Sequence, residues 1–144
     1  SRPRAIADAD LRESAMGIWE GMTATEAAAY DAEALALWRA DAVHHPPPGG
    51  ETLDAVLARL LRALARSRER APDGCVLWVT HGGVIGVLVS HLLGIDLARR
   101  GQLRRDNAAI TELEIAGEQV VLLRFNETTH LRGLKAEGER SQIL

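Results

Sequence analysis

Residues 75–84 of the chain read CVLWVTHGGV, and this stretch decides the fold. Cys75 to Thr80 is a continuous apolar run, which is typical of a strand buried on both faces of a parallel sheet. The glycine turn His81-Gly82-Gly83 leads directly into a second apolar stretch, Val84 to Leu93, which Gly94 closes and which predicts a helix. The order of strand, glycine turn and helix predicts an α/β protein with a mostly parallel sheet and helices on both faces.

Two further helices are predicted upstream of this stretch. Thr23 and Glu26 form a capping box that opens an alanine-rich helix running to about Asp41. Apolar residues at a spacing of 3.6 mark a second helix from Leu53 onward, with arginines on the opposite face. The proline- and glycine-rich segment Val43 to Glu51 joins the two. We expect it to form a lid-like loop near the mouth of the site, because the flanking helices are too apolar to stand apart.

The C-terminal part of the chain carries a hairpin signal. Ala109 to Ile115 and Gln119 to Phe125 are strand candidates, and Ala116-Gly117-Glu118 separates them. A glycine turn between two such runs predicts a β-hairpin, which we place at the edge of the sheet.

Length and composition describe one globular domain. The 144 residues are 47% hydrophobic and 26% charged, with a net charge of -3. The single cysteine, Cys75, cannot form an internal disulfide and is expected to be buried and inert. The longest apolar stretch, Val84 to Leu93, is too short to span a bilayer, and no signal peptide precedes it. We therefore expect a cytoplasmic protein without a membrane segment.

The basic residues argue against nucleic acid as a partner. Acidic residues outnumber them 20 to 17, and the few aromatic residues are too scattered to stack bases. The arginines form two clusters: Arg59, Arg62, Arg66 and Arg70 at helical spacing, and Arg99, Arg100, Arg104 and Arg105 close together. Solvated helix faces are the expected explanation for both. A rim that steers an anionic substrate is the alternative for the second cluster.

His81 marks the strongest candidate site. A histidine at the carboxyl end of a buried strand, followed by a helix N-terminus, faces the crevice where open α/β sheets bind ligands. Gly82 and Gly83 let the backbone approach a phosphate, and the helix dipole favours negative charge there. The alternative is a structural histidine in a tight turn. The motifs of α/β-hydrolases, P-loop NTPases and dinucleotide-binding folds are absent from the sequence.

Two carboxylates in irregular chain are further candidates. Glu13 and Glu20 lie near glycines that prevent a stable helix, so either could act as an acid or base, or simply as a solvated charge. A metal site is not expected. His44 and His45 are adjacent, and the remaining histidines show no ligand spacing with cysteine or carboxylates.

Five segments in a fixed order carry a family resemblance. They are Leu11-Arg12-Glu13, Gly-x-Trp-Glu-Gly at 17–21, Pro-Pro-Gly-Gly-Glu-Thr at 47–52, Val-Thr-His-Gly-Gly-Val-Ile at 79–85 and Asn-Ala-Ala-Ile-Thr at 107–111. Each segment alone is weakly specific, but the ordered set resembles the histidine phosphatase superfamily, also called phosphoglycerate mutase-like. The resemblance covers the chain from about Leu11 to Leu131 and is strongest to the small phosphatase branch.

The resemblance implies a three-layer α/β sandwich and a phosphomonoesterase that works through a phosphohistidine. In such enzymes a histidine of an Arg-His-Gly motif on the first strand attacks the phosphorus. His81 matches a second histidine that binds the phosphoryl group, and Glu13 matches the proton donor, while Gly82 and Gly83 are expected substrate contacts. The implied substrate is a small phosphomonoester, and no metal or other cofactor is implied.

This sequence departs from the family pattern at its N-terminal end. The 144 residues contain neither Arg-His-Gly nor the family's Ser-x-Leu-x-Arg-Ala segment, and Ser14-Ala15-Met16 differ from its usual run. The resemblance implies one domain, 1–144, that lacks an N-terminal part of roughly fifty to sixty residues, including a strand beside Cys75 to Thr80.

Three expectations follow from that departure. The chain as written should be inactive, and the open strand should aggregate or pair with another chain, for instance in a homodimer. A non-catalytic phosphate-binding or scaffold relic of the same fold is the alternative to an enzyme. A structural or partner-binding domain unrelated to phosphate is the third hypothesis.

Overall fold

The computed structural model describes residues 5–133, which form four α-helices and one hairpin. The helices are α1 (Ala24–Tyr30), α2 (Ala32–Ala40), α3 (Leu53–Arg70) and α4 (Gly82–Leu92), and the strands are β1 (Ile110–Ala116) and β2 (Gln119–Glu127). Short 3₁₀ turns lie at Ala9–Leu11, Gly17–Trp19, Leu97–Gln102 and Thr129–Leu131. Of the helices in residues 5–133, none combines the length and the apolar character that a bilayer crossing requires.

The main core lies between α3 and α4. The Thr52 hydroxyl accepts a hydrogen bond from the Ala55 N–H at 3.2 Å and so caps α3 at the point where the apolar stripe begins. The core is built from the inner faces of the two helices: Leu53, Val56 and Leu60 on α3 with Val84, Val87 and Leu88 on α4. Burying each such side chain contributes about 1.5–3 kcal/mol to the free energy of folding. The packing of α3 on α4 therefore fixes the position of α4 and of the residues at its N-terminus.

The C-terminus of α4 is fixed by a Schellman motif at Gly94, as the sequence predicts. The Gly94 N–H donates to the His91 carbonyl at 3.2 Å, and the Ile95 N–H donates to the Ser90 carbonyl at 2.8 Å. Gly94 has φ +67°, a conformation that glycine adopts without a Cβ clash.

The helix predicted from Thr23 to Asp41 is instead two helices. The capping box of Thr23 and Glu26 is present and opens α1. The chain leaves helical geometry at Asp31 (φ −154°, ψ 90°), whose carboxylate accepts from the Ala34 N–H at 2.9 Å and starts α2. The prediction of one helix was wrong because an Asp side chain can replace a helical hydrogen bond with a local cap.

Residues 16–38 form a second, smaller apolar cluster of their own. Its buried members are Trp19, Ala27 and Leu35, and the rings of Trp19 and Trp38 meet edge to face at 5.7 Å. This cluster is separate from the core between α3 and α4, whereas Leu11, further upstream, packs against that main core.

The segment of residues 43–51 connects α2 to α3 and packs against residues 15–18. The Ile18 N–H donates to the Pro48 carbonyl at 3.1 Å, and the Glu51 N–H donates to the Ala15 carbonyl at 2.9 Å. Gly17 lies so close that an added Cβ would sit 2.2 Å from the Pro48 carbonyl oxygen. These backbone contacts attach the loop to residues 15–18, which begin two positions after Glu13, and its role as a lid stays a prediction.

Residues 75–80 form no strand, contrary to the prediction. Side chains attach the segment to the core: the Trp78 indole N–H donates to the Ser67 hydroxyl at 3.0 Å, and the Thr80 hydroxyl donates to the Leu11 carbonyl at 2.6 Å. The alternate residues Leu77 and Val79 point away from the core and are 83% and 87% exposed. A strand requires neighbouring backbone, and within residues 5–133 no segment pairs with this one.

The burial predicted for Cys75 was wrong for the same reason. Its side chain is exposed, because the segment has only one covered face.

The sheet of the described residues is therefore only the hairpin. β1 and β2 pair antiparallel, with Ala116 opposite Gln119 and with Gly117 (φ +63°) in the turn, which confirms the predicted hairpin. The mostly parallel sheet predicted from the sequence is not present in residues 5–133, since its central member, residues 75–80, is unpaired.

Candidate functional site

His81 occupies the N-cap position of α4. Its backbone is extended (φ −111°, ψ 157°), and its carbonyl accepts the first helical hydrogen bond from the Ile85 N–H at 3.1 Å. Its imidazole makes no capping bond and is exposed. The N–H groups of the first helical turn therefore need an acceptor from elsewhere in the molecule.

Glu13 supplies that acceptor from a distant part of the chain. Its Oε2 accepts from the Gly83 N–H at 3.2 Å, and its Oε1 accepts from the Ser14 N–H at 2.8 Å. A Cβ added at Gly83 would sit 2.5 Å from Oε1, so the carboxylate approaches this closely only because residue 83 is glycine. A negative charge at a helix N-terminus is also favoured by the helix dipole.

Glu13, His81 and Gly82 line one cleft of about 480 Å³. Its other lining residues are Leu77, Trp78, Val79, Thr80, Ile85, Arg105, Asp106, Asn107, Ala108, Ala109, Thr111 and Asn126. The structure thus brings together three of the four predicted site residues in the cleft, and it attaches the fourth, Gly83, to the Glu13 carboxylate. Within residues 5–133, no group of three His, Cys, Asp or Glu side chains is placed to hold a metal ion.

Arg59 holds the chain segment that carries Glu13. Its side chain is only 2% exposed, and its Nη1 donates to the carbonyls of Asp10 and Arg12 at 2.7 and 2.8 Å. Nη2 donates to the Glu13 carbonyl at 3.2 Å. The prediction that this arginine belongs to a solvated helix face was wrong, because the backbone of residues 10–13 and the Glu51 carboxylate cover Arg59 on that side of α3.

Glu51 neutralises this buried arginine. Its carboxylate accepts from Arg59 Nε at 2.8 Å and Nη2 at 3.1 Å, and from the Ala15 N–H at 3.2 Å. Burial raises the pKa of the Glu51 carboxyl, but the hydrogen bonds from Arg59 and Ala15 and the charges of Arg59 and Arg12 outweigh it, so the pKa lies below its ordinary value. The pair stays ionised near neutral pH and fixes residues 10–15 against α3.

Arg105 places a positive charge in the cleft. Its guanidinium lies along the first turns of α4, where a Cβ on Gly86 would sit 2.7 Å from Nη1. Burial lowers the pKa of this guanidinium, while the charge of nearby Glu13 acts in the opposite direction. An arginine nevertheless stays charged at neutral pH. The sequence pointed to this residue only through the arginine cluster, for which a solvated face is the expected explanation and a rim that steers an anionic substrate is the alternative.

The remaining sequence candidates do not line the cleft. The Glu20 carboxylate accepts from the Met16 N–H at 3.3 Å and does not line the cleft. His44 pairs with Asp41 at 2.6 Å on the surface, and His130 Nε2 lies 3.0 Å from the Ala108 carbonyl. These groups have local structural partners and no shared site.

A helix N-terminus, a histidine and an arginine in one cleft provide N–H donors and positive charge that suit an anion such as a phosphoryl group. The sequence profile of the histidine phosphatase superfamily (branch 1) matches residues 2–128. The chain belongs to this superfamily, which confirms the resemblance carried by its five sequence segments.

The chain is similar to phosphatases in both sequence and structure. It is 27% identical to phosphoserine phosphatase 1 of Hydrogenobacter thermophilus, over 87% of this chain and 59% of that protein. It superposes on Bacillus stearothermophilus YhfR with a TM-score of 0.80 and 26% identity, over 86% of this chain and 62% of that one. A mycobacterial glucosyl-3-phosphoglycerate phosphatase solved with inorganic phosphate matches at TM-score 0.66 and 33% identity, over 83% of this chain and 63% of that one.

These matches describe the fold of the described residues, which is that of the phosphoglycerate mutase-like phosphatases. They also fix the extent of the likeness: the chain spans about three fifths of the length of each of these three proteins.

Proposed function

We propose that this chain is the acid-supplying and phosphate-binding part of a phosphomonoesterase. The substrate would be a small phosphorylated metabolite, and the reaction would pass through a phosphohistidine. The observation that carries the proposal is the convergence of Glu13 and His81, 68 positions apart in sequence, on one helix N-terminus. That the relatives are named as phosphatases supports the same chemistry.

In this proposal Glu13 moves the proton. A histidine nitrogen attacks phosphorus, the bond to the leaving oxygen breaks, and the protonated Glu13 carboxyl gives its proton to that oxygen. Water then attacks the phosphohistidine, its proton passes to the Glu13 carboxylate, the N–P bond breaks and inorganic phosphate leaves. The contact of Glu13 with the Gly83 N–H supports this role, because it holds the carboxyl at the edge of the cleft.

His81 and the backbone of α4 would bind the transferring group. Charge spreads over the equatorial oxygens during phosphoryl transfer, so positioned donors stabilise the transition state. The exposed imidazole of His81, which makes no capping bond, supports this role. Such a mechanism uses side chains and backbone N–H groups alone, and we propose that turnover needs no metal and takes place in the cytoplasm.

The attacking histidine would come from chain outside these 144 residues. No Arg-His-Gly motif occurs in the sequence. The exposed apolar side chains of Leu77 and Val79, next to the cleft, support a neighbouring strand that would cover them and present that histidine.

Hydrolysis of p-nitrophenyl phosphate and phosphoserine by the full-length protein, translated from the complete reading frame, tests the proposal. We expect Glu13→Gln and His81→Ala to lower kcat/KM by about 10²–10⁴. His91→Ala is the matched control, because this exposed histidine lies at the other end of α4, and it should change kcat/KM by less than about twofold.

Two results would contradict the proposal. Equal activity of the Glu13→Gln variant and the wild-type protein would remove Glu13 from the reaction. Binding of inorganic phosphate without turnover of any phosphomonoester would favour the non-catalytic relic.

A further inference from the structure

We propose that Arg105 is a substrate-binding residue whose guanidinium contacts the anionic group that enters the cleft between Glu13 and His81. The inference rests on the proposed function in one respect, since it takes that anion to be the phosphoryl group of the substrate. It assigns a site role to a residue that lies 24 positions beyond His81 and outside the segments that resemble the family.

Two glycines of α4 make room for the Arg105 side chain. A Cβ built on Gly82 would lie 3.7 Å from the Arg105 Cβ and 3.9 Å from its Nε, and a Cβ on Gly86 would lie 2.7 Å from Nη1. The Cβ of Arg105 therefore lies beside Gly82 at the helix N-terminus, and its guanidinium lies one turn further along α4, beside Gly86. The N–H groups and the helix dipole favour an anion at the N-terminus, and the charge of Arg105 one turn away adds to theirs.

The guanidinium keeps donors for a ligand. Its Nη1 donates to the Arg100 carbonyl at 2.6 Å, which fixes the orientation of the plane. A guanidinium carries five N–H donors, and the fork formed by Nε and Nη2 is the geometry that matches two phosphate oxygens. Arg105 is thus held by one contact and remains able to bind an anion with the others.

In the part of the chain that the structure describes, Arg105 has no carboxylate in direct contact. Within residues 5–133, no Asp or Glu oxygen lies at ion-pair distance from its guanidinium, although Glu13 is close enough to interact electrostatically. A half-buried cation without a contacting counter-ion has lost water, and the Arg100 carbonyl alone replaces only part of it. An incoming phosphoryl group supplies that bond, which makes anion binding at Arg105 favourable.

Two neighbouring arginines, Arg104 and Arg99, differ from Arg105 in these respects. Arg104 forms an ion pair with Asp106 at 2.9 Å, with most of its side chain exposed. Arg99 is exposed and donates to the side chain of Gln102 at 3.2 and 3.3 Å. Neither lines the cleft, and Arg99 therefore provides a matched control for the loss of one arginine charge from the same cluster.

The test is the dissociation constant of inorganic phosphate, measured by calorimetry on the full-length protein at constant ionic strength. This measurement needs no turnover. We expect Arg105→Gln to raise the dissociation constant by about 10- to 100-fold, the loss typical of a charged hydrogen bond. Arg105→Lys should raise it less, because the charge remains but the fork is lost. Arg99→Gln should change it by less than about twofold.

Thermal unfolding of each variant checks that it is folded. If Arg105→Gln does not fold, the Arg105→Lys variant decides: phosphate binding equal to that of the wild-type protein would overturn the proposal.

The outcomes separate this proposal from the proposed function. An unchanged dissociation constant in Arg105→Gln overturns it, and so does a wild-type protein that binds no phosphate. A shifted pH–rate profile with unchanged phosphate affinity would mean that Arg105 acts only on Glu13, which also overturns it. Phosphate binding that depends on Arg105, in a protein that hydrolyses no phosphomonoester, would support this assignment while contradicting the proposed function.

Discussion

The Glu13 carboxylate accepts a hydrogen bond from the Gly83 N–H at 3.2 Å, across 70 positions of sequence. This contact joins the irregular N-terminal segment to the first turn of α4. The two sides are positioned by different parts of the core: Arg59 of α3 binds the backbone on both sides of Glu13, and the packing of α3 on α4 fixes Gly83. The positions of Glu13 and Gly83 therefore both depend on α3.

Gly83→Ala should separate Glu13 from α4. The new Cβ would lie 2.5 Å from Glu13 Oε1, so the carboxylate must move, although alanine suits a helix better than glycine does. We expect kcat/KM of the full-length protein for p-nitrophenyl phosphate to fall by about 10²-fold, with folding preserved. Gly101→Ala is the control, because a Cβ there meets no atom within 4 Å. Full activity of Gly83→Ala would show that the contact is not needed.

Arg59→Met should destabilise the fold strongly. It removes the partner of Glu51 and of three backbone carbonyls, and breaking one side of a buried ion pair costs about 3–5 kcal/mol. Arg62→Met removes an exposed pair with Asp10 and should cost at most about 1 kcal/mol. Urea unfolding followed by tryptophan fluorescence measures both. Equal free energies of unfolding for the two variants would show that the buried contacts of Arg59 contribute no more to stability than the exposed pair of Arg62 with Asp10.

Acid should destabilise the protein through Asp8 and Asp10. Hydrogen bonds from Arg66 lower the pKa of both carboxyls, with further help from the Asp10 N–H for Asp8 and from Arg62 for Asp10. Because the folded-state pKa is depressed, the stabilisation is complete above the ordinary value of 3.8 and is lost as the pH falls through the folded-state value. We expect the free energy of unfolding to decrease between about pH 5 and pH 2.

The Arg66→Gln variant should make this decrease shallower, because it removes the contacts that depress both pKa values. Arg70→Gln, an exposed position at the end of α3, serves as the control and should keep the wild-type slope. An unchanged slope in Arg66→Gln would exclude these pairs as the source of acid sensitivity.

The exposed apolar residues of the 75–80 segment should drive self-association of the 144-residue chain. Leu77 and Val79 are 83% and 87% exposed, and unpaired backbone beside them can pair with a second copy. We expect Leu77→Lys with Val79→Lys to shift the chain toward monomer in sedimentation velocity. Ile6→Lys, at another exposed apolar position, should leave the distribution unchanged. A monomeric wild-type chain would contradict this expectation.

Features set by neighbouring residues were predictable from the sequence. The Thr23 cap, the Gly94 helix end and the Gly117 turn depend on contacts a few positions apart, and the structure contains all three. The prediction of one helix from Thr23 to Asp41 failed at Asp31, because the Asp31 side chain offers a local alternative to the helical hydrogen bond.

Features set by distant partners were not predictable. Residues 75–80 have the composition of a strand, but strand formation depends on backbone from elsewhere. The helical period placed Arg59 among outward arginines, and only its five contacts with residues 10–13 and Glu51 explain why it is buried. The cleft position of Arg105 depends in the same way on Gly82 and Gly86, which become its neighbours only in the fold.

The most direct test of the account compares p-nitrophenyl phosphate turnover by the 144-residue chain with that by the full-length protein. Both are assayed with and without a chelator, and each is paired with its His81→Ala variant. The account predicts no turnover by the 144-residue chain, because Glu13 and His81 supply an acid and a phosphate contact but no nucleophile. It predicts chelator-resistant turnover by the full-length protein. Chelator-resistant turnover by the 144-residue chain that His81→Ala abolishes would contradict the account and make His81 the nucleophile.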